Sequence, residues 1–192
     1  MPAVEAVLLG KRFVGSGVKA DEFSEGADAQ APYRHQIFFC SDDAVLLETF
    51  TRVVTAALNA GNAAIIVATG PHRDSLLQRL EKQGLDVRHA IQEGTYIALD
   101  AAETLSAIMM TGLPDPVRFF AGISPFIEAA TKAAKTKQPR VVVCGESAAL
   151  LRAEGKTDAA IRLEQLCGDL AKTHEVDVLC AHPLSGFSGA ET

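Results

Sequence analysis

Gln36-Ile-Phe-Phe-Cys40 is followed at once by Ser41-Asp-Asp43 and then by apolar residues at Val45, Leu46, Val53, Val54, Ala57 and Leu58. A compact apolar run bounded by turn residues is a buried strand. Ser and Asp cap helix starts, and the spacing of three to four that follows marks a helix with one apolar face. The unit recurs downstream. Ala63-Ala-Ile-Ile-Val-Ala68 is a strand, Thr69-Gly-Pro71 a turn, and Asp74 to Gln83 a helix that stops at Gly84. Thr95-Tyr-Ile-Ala-Leu-Asp100 leads into a helix from Ala101 to about Thr111, and Gly112-Leu-Pro-Asp-Pro116 separates that helix from another reaching about Lys135. Arg140-Val-Val-Val-Cys144, a helix opening at Gly145-Glu-Ser, a long helix from Asp158 to Lys172 and Val176-Asp-Val-Leu-Cys-Ala181 complete the set. Five short apolar strands alternating with helices predict an α/β domain with a mainly parallel five-stranded sheet covered on both faces. Residues 34–184 carry this pattern. Residues 1–33, around Gly15-Ser16-Gly17, lack periodicity and read as a flexible or loosely docked arm, and 185–192 as a tail.

The whole chain has 192 residues, 48% of them hydrophobic and 22% charged, enough for one domain with a core of its own. A net charge of −6 with no basic stripe argues against direct contact with nucleic acid or an anionic membrane. The start of the chain has no cationic segment, and no apolar run approaches a membrane span, so a cytoplasmic location is expected. The four cysteines, at 40, 144, 167 and 180, form no Cys-x-x-Cys pair and are expected as free thiols.

In parallel sheets the functional crevice lies at the carboxyl ends of the strands. Here those ends carry Cys40, Asp42, Thr69, His72, Asp100, Cys144, Glu146, Cys180 and His182, the candidate ligand-binding rim. A nucleotide hydrolase of this architecture needs Gly-x-x-x-x-Gly-Lys-Ser/Thr after its first strand, so that backbone amides and a lysine cradle the phosphates. The chain has Cys40-Ser-Asp-Asp-Ala-Val there. Carboxylates at a helix N-terminus satisfy its dipole and repel a triphosphate, so ATP is not expected and Asp42 and Asp43 read first as helix caps. Glu146 stands where a P-loop enzyme places its magnesium-binding Asp. It either touches a ligand or serves the helix start. Gly145-Glu-Ser-Ala-Ala lacks the second glycine of a nucleophile elbow.

Cys40, Cys144 and Cys180 all fall toward one edge of the predicted sheet, and with His182 they are candidates for a soft metal site, such as zinc, or a redox pair. Each thiol alone is more commonly a small buried hydrophobe. Cys167 falls inside a helix without such company, and His35 precedes the first strand, at the edge opposite His182. His89 and His174 read as ordinary surface or satisfied histidines.

His35-Gln-Ile-Phe-Phe-Cys-Ser-Asp-Asp, Ala60-Gly-Asn-Ala-Ala-Ile-Ile-Val-Ala-Thr, Gly94-Thr-Tyr-Ile-Ala-Leu-Asp-Ala-Ala-Glu, Val143-Cys-Gly-Glu and Leu179-Cys-Ala-His-Pro, in that order, resemble the MEDS domain over about residues 34–184. The resemblance implies a three-layer RecA-like fold close to the circadian-clock ATPases, with a degenerate P-loop. It also implies a place in bacterial and archaeal signalling, where hydrocarbon derivatives are proposed ligands. Members often join this domain to histidine kinases or DNA-binding regions, and none is read here. In the clock-ATPase order the last strand lies between the first and the one ending at Cys144, which would set Cys40, Cys180 and Cys144 on three adjacent strands. The chain departs from the family's usual pattern at His182, where an aromatic is common, and at Cys167, where a Trp is common.

The sequence thus predicts a stand-alone sensory module, not an enzyme. It would take a small molecule at the strand ends and pass the signal to a histidine kinase or transcription regulator, with homo-oligomerisation through helical faces open to it. The alternatives are a thiol- or metal-dependent enzyme and a non-catalytic nucleotide-binding adaptor.

Overall fold

A computed structural model describes residues 34–184. The sequence-predicted arm and tail lie outside them. The order of elements is β1 (His35–Cys40), α1 (Asp43–Asn59), β2 (Ala63–Ala68), α2 (Gly70–Lys82), α3 (Val87–Glu93) and β3 (Tyr96–Asp100). Then come α4 (Ala101–Ile108), a small hairpin of β4 (Met109–Met110) and β5 (Leu113–Pro114), and α5 (Pro116–Ala133). The last four are β6 (Val141–Gly145), α6 (Ser147–Ala153), α7 (Thr157–Thr173) and β7 (Asp177–Pro183). The five long strands form one parallel sheet in the order β1-β7-β6-β2-β3.

Strand composition explains the order. Every residue of Ala63-Ala-Ile-Ile-Val-Ala68 is buried, as suits a strand with neighbours on both sides and helices on both faces. His35–Cys40 and Tyr96–Asp100 are only partly covered, and they form the two edges. β7 lies between β1 and β6, as the resemblance implied.

Two apolar cores follow from the period-two alternation of the strands. On one face Ala64, Ile66, Cys144, Leu179 and Ala181 pack with Leu46 and Phe50 of α1, Leu76 and Leu80 of α2, and Val87 of α3. On the other, Ile65, Val67, Val143, Val178 and Cys180 pack with residues of α4, α5, α6 and α7. Helices on both faces of a parallel sheet give the three-layer RecA-like arrangement.

Chain direction then places a crevice. The connections leaving β1 and β2 run over the first face, and those leaving β3 and β6 run over the second. Neighbouring β2 and β6 therefore send their helices to opposite sides, which opens the sheet's switch point between Ala68 and Gly145. At the other end of the sheet, Arg140 clamps Asp177 with contacts of 2.9–3.1 Å and ties β6 to β7.

Two elements escaped the sequence pattern. α3, capped by Asp86 and ended by Gly94 at φ +80°, contributes only Val87 to the interior, so it has no apolar stripe to reveal it. The β4–β5 hairpin is two residues a side and cuts short the helix predicted to reach Thr111.

Candidate functional site

The strand-end rim divides into three groups. At the switch point, Glu146 is buried and makes no cap bond to its own helix α6. Its carboxylate crosses to the loop after β2, where Thr69 N–H donates to Oε1 at 2.7 Å and His72 Nδ1 meets Oε2 at 2.7 Å. His72 Nε2 faces Asp43 at 3.5 Å. Asp43, His72 and Glu146 thus form a chain of acid, imidazole and acid that fills the crevice where a nucleotide's phosphates sit in related architectures.

Asp42 caps α1, accepting from Val45 N–H at 3.0 Å and from Ser41 Oγ at 2.8 Å. That backbone bond, joined by the one from Ser41, holds its carboxyl below the usual range. Asp100 caps α4 through Ala102 and Glu103 N–H at 2.9 and 3.0 Å and pairs with Arg73 at 2.8 Å. Both carboxylates are committed to helix starts. Cys40 is buried beside this group. Burial, reinforced by the charges of Asp42, Asp43 and Glu146, pushes its thiol up to about 11. At neutral pH it is a protonated thiol, poorly suited to nucleophilic attack.

The predicted cluster of Cys40, Cys144, Cys180 and His182 does not assemble, although β1, β7 and β6 are adjacent as expected. Side-chain parity is the reason. Cys40 and Cys144 face the α1 side, whereas Cys180 faces the α7 side. Cys40 and Cys144 are also far apart along the sheet. Cys40 lies opposite Pro183 and Cys144 opposite Leu179, a separation of about 13 Å along β7 at roughly 3.3 Å per residue. Burial alone pushes the Cys144 thiol upward, and it sits in the core as an inert hydrophobe.

On the α7 side a different polar group forms. Glu164 of α7 is 1% exposed, and its carboxylate meets two imidazoles at once: His35 Nε2 at 2.9 Å and His182 Nε2 at 2.7 Å. Burial alone would raise this acid, but the bonds from His182 and His35 outweigh it and bring it down to about 2. His35 and His182 therefore meet from opposite ends of the β1–β7 pair. Cys180 lies between them with its sulfur within 4.8 Å of that of Cys167, and this neighbour together with burial raises its thiol well above the ordinary value. His182 Nδ1 is buried without a partner among the described residues, and its ring stacks on Phe39 at 5.2 Å. Cys167 and His35, set aside on sequence, both belong here. One signal pointed to them. Glu164 is a charge inside the apolar stripe Leu163, Leu166, Cys167 and Leu170, where an unpartnered carboxylate is not tolerated.

Beside this group is a cavity of about 290 Å³ between the sheet and helices α4, α5 and α7. Val67, Val143 and Val178 form its roof, and Ile108, Phe119 and Ile123 its outer wall. Cys167 and Cys180 close one end, while Asp100, Gly145 and Ser147 bring it to the strand-end edge. The lining is overwhelmingly apolar. Ser147 Oγ is buried at its border with no partner among the described residues. Glu103, Ala107, Gly122 and Phe126, all solvent-exposed, rim the opening between α4 and α5.

A family model matches residues 34–192: MEDS, the methanogen/methylotroph, DcmR sensory domain. The chain belongs to this family. Its members are sensory domains. No curated protein matches the sequence. No helix among the described residues is long and apolar enough to cross a membrane.

Proposed function

We propose that this MEDS domain senses a small, largely apolar molecule taken into the cavity between the sheet and α4, α5 and α7. The supporting observation is the cavity itself: about 290 Å³, apolar except for Asp100, Glu103, Thr104 and Ser147, with the Ser147 hydroxyl unpaired among the described residues. Ligand pockets combine an apolar lining with a few placed polar groups, and apolar cavities of about 150 Å³ already admit benzene. A hydrocarbon derivative with at most one hydrogen-bonding group matches this space. A nucleotide does not, because Asp42, Asp43 and Glu146 put carboxylates where phosphates would lie.

The readout follows from the walls. α4 and α5 both line the cavity and are joined by the β4–β5 hairpin. Met110, Leu113 and Val117, at and just after that hairpin, are 44, 46 and 75% exposed. Occupancy favours one packing of α4 against α5 and so sets the presentation of this apolar surface to a signalling partner such as a histidine kinase or transcription regulator. No catalytic step is assigned.

Thermal unfolding with toluene, chlorobenzene and ATP tests the proposal. The two aromatics raise the midpoint in proportion to the logarithm of their concentration, and ATP does not. Gly122 lines the mouth and a Cβ there meets nothing within 4 Å, so Gly122→Leu adds apolar bulk at the mouth from an unobstructed start. That variant should keep or raise the unliganded midpoint through better helix propensity and lose the response. A response to ATP alone, or an unchanged response in Gly122→Leu, contradicts the assignment.

A further inference from the structure

Among the described residues, one ligand atom each of His35, Cys167 and Cys180 lies within 4.8 Å of the others. We infer that these three side chains form a zinc(II) site at the closed end of the cavity, with Glu164 as the carboxylate that orients the histidine. The inference does not depend on the cavity's organic ligand, because metal alone tests it.

Glu164 fixes the tautomer. A carboxylate can only accept, so Nε2 of His35 carries a proton, and the neutral imidazole that binds metal has its lone pair on Nδ1. Carboxylate, histidine and metal in series is the common supporting arrangement of zinc sites. Room for that nitrogen is provided next to Cys167: a Cβ at Gly168 would come within 3.3 Å of His35 Nδ1. The glycine lets the ring lie against α7 one residue beyond a candidate ligand.

Distances and charge select the ion. Tetrahedral zinc with Zn–S near 2.3 Å and Zn–N near 2.0 Å needs donor atoms about 3.4–3.8 Å apart. Atoms that lie within 4.8 Å of one another must therefore close by at most roughly 1–1.4 Å. Two thiolates and a neutral imidazole around Zn²⁺ sum to zero charge, as a low-dielectric wall requires. Copper(I) would leave a negative charge beside the buried Glu164 carboxylate. Binding balances as Zn²⁺ plus two thiols and one imidazole giving the complex and two protons, with no redox change. Cys167 and Cys180 also line the cavity, so the site borders it. Three protein ligands and one open position form a site that can take a further donor from water or a bound molecule.

Titration of the full chain with cobalt(II), which reports thiolate ligation through its charge-transfer absorption, tests the site, with competition by zinc. The expected result is one equivalent bound, two protons released and the band lost in Cys167→Ser and Cys180→Ser but kept in Cys40→Ser and Cys144→Ser. Glu164→Gln should weaken affinity by about 10- to 100-fold while keeping the band. Should Cys180→Ser not fold, the unsubstituted protein still decides. Zinc must slow iodoacetamide labelling of Cys167, mapped by mass spectrometry, and leave that of Cys40 unchanged. A parent protein with no band, a band that survives Cys167→Ser or vanishes with Cys40→Ser, or Cys167 labelling indifferent to zinc overturns the inference.

Discussion

Replacing Glu164 by Gln keeps the shape of the side chain and removes its charge, which makes it the sharpest probe of the buried polar group. In the folded protein the carboxyl titrates at about 2 against an ordinary 4.5, because the bonds from His182 and His35 more than offset its burial. A folded-state pKa below the unfolded one means that the ionised form stabilises the fold above about pH 4.5 and that this contribution fades as pH falls toward 2. At about 1.36 kcal/mol per unit the contribution is about 3 kcal/mol near pH 7 and less than half of that near pH 3. Glutamine still offers one acceptor, so the measured loss should be about 2–3 kcal/mol. For a domain of this size that lowers Tm by roughly 4–12 °C. Urea unfolding of the parent and Glu164→Gln near pH 7, 5 and 3 reads it directly. The two proteins should differ most near neutrality and converge in acid. Equal stability at pH 7, or a gap that does not narrow near pH 3, would refute the assignment of an ionised Glu164 held by two imidazoles.

The other predictions concern the switch point and its neighbours. Glu146→Leu leaves Thr69 N–H and His72 without their shared acceptor and should cost about 2–3 kcal/mol in urea unfolding, with amide exchange rising first at Thr69. Asp42→Ala removes the cap of α1 and should lower Tm by roughly 2–4 °C, while Asp42→Asn should restore most of the loss. Cys40, with its thiol raised to about 11 from an ordinary 9, should react with iodoacetamide about 100-fold more slowly in the folded protein than in urea. Labelling of native Cys40 at the unfolded rate would show that its burial and its acidic neighbours do not act as described.

What could be read before folding, and what could not, separates by physical kind. Ala63–Ala68 and Val141–Gly145 announced themselves because an unbroken apolar run has one stable destination, a strand covered on both faces. The capping role of Asp42 was legible because cap chemistry is local. Grouping of the thiols failed at parity. Strand adjacency brings Cys40, Cys180 and Cys144 to neighbouring strands, but alternation turns Cys180 away from the other two. The same alternation puts Val178, Cys180 and His182 on one face, and Glu164 and Cys167, three apart on α7, turn toward it. His35 joins them across 129 positions, a pairing that only the β1–β7 register sets. The cavity was wholly illegible, because Val67, Phe119, Ile123 and Val178 have the apolar character of any core residue. Nothing local says that their side chains stop short of filling the space.

The proposed sensing role requires that this space bind a ligand. Methyl-resolved NMR of the protein titrated with toluene is the most direct measurement of it. The predicted result is saturable shifts, to a single dissociation constant, confined to Val67, Ile108, Ile123, Val143, Leu163 and Val178, and absent in Gly122→Leu. Unchanged methyl spectra at saturating toluene, or shifts centred on Leu46, Leu76 and Leu179 across the sheet, would contradict it.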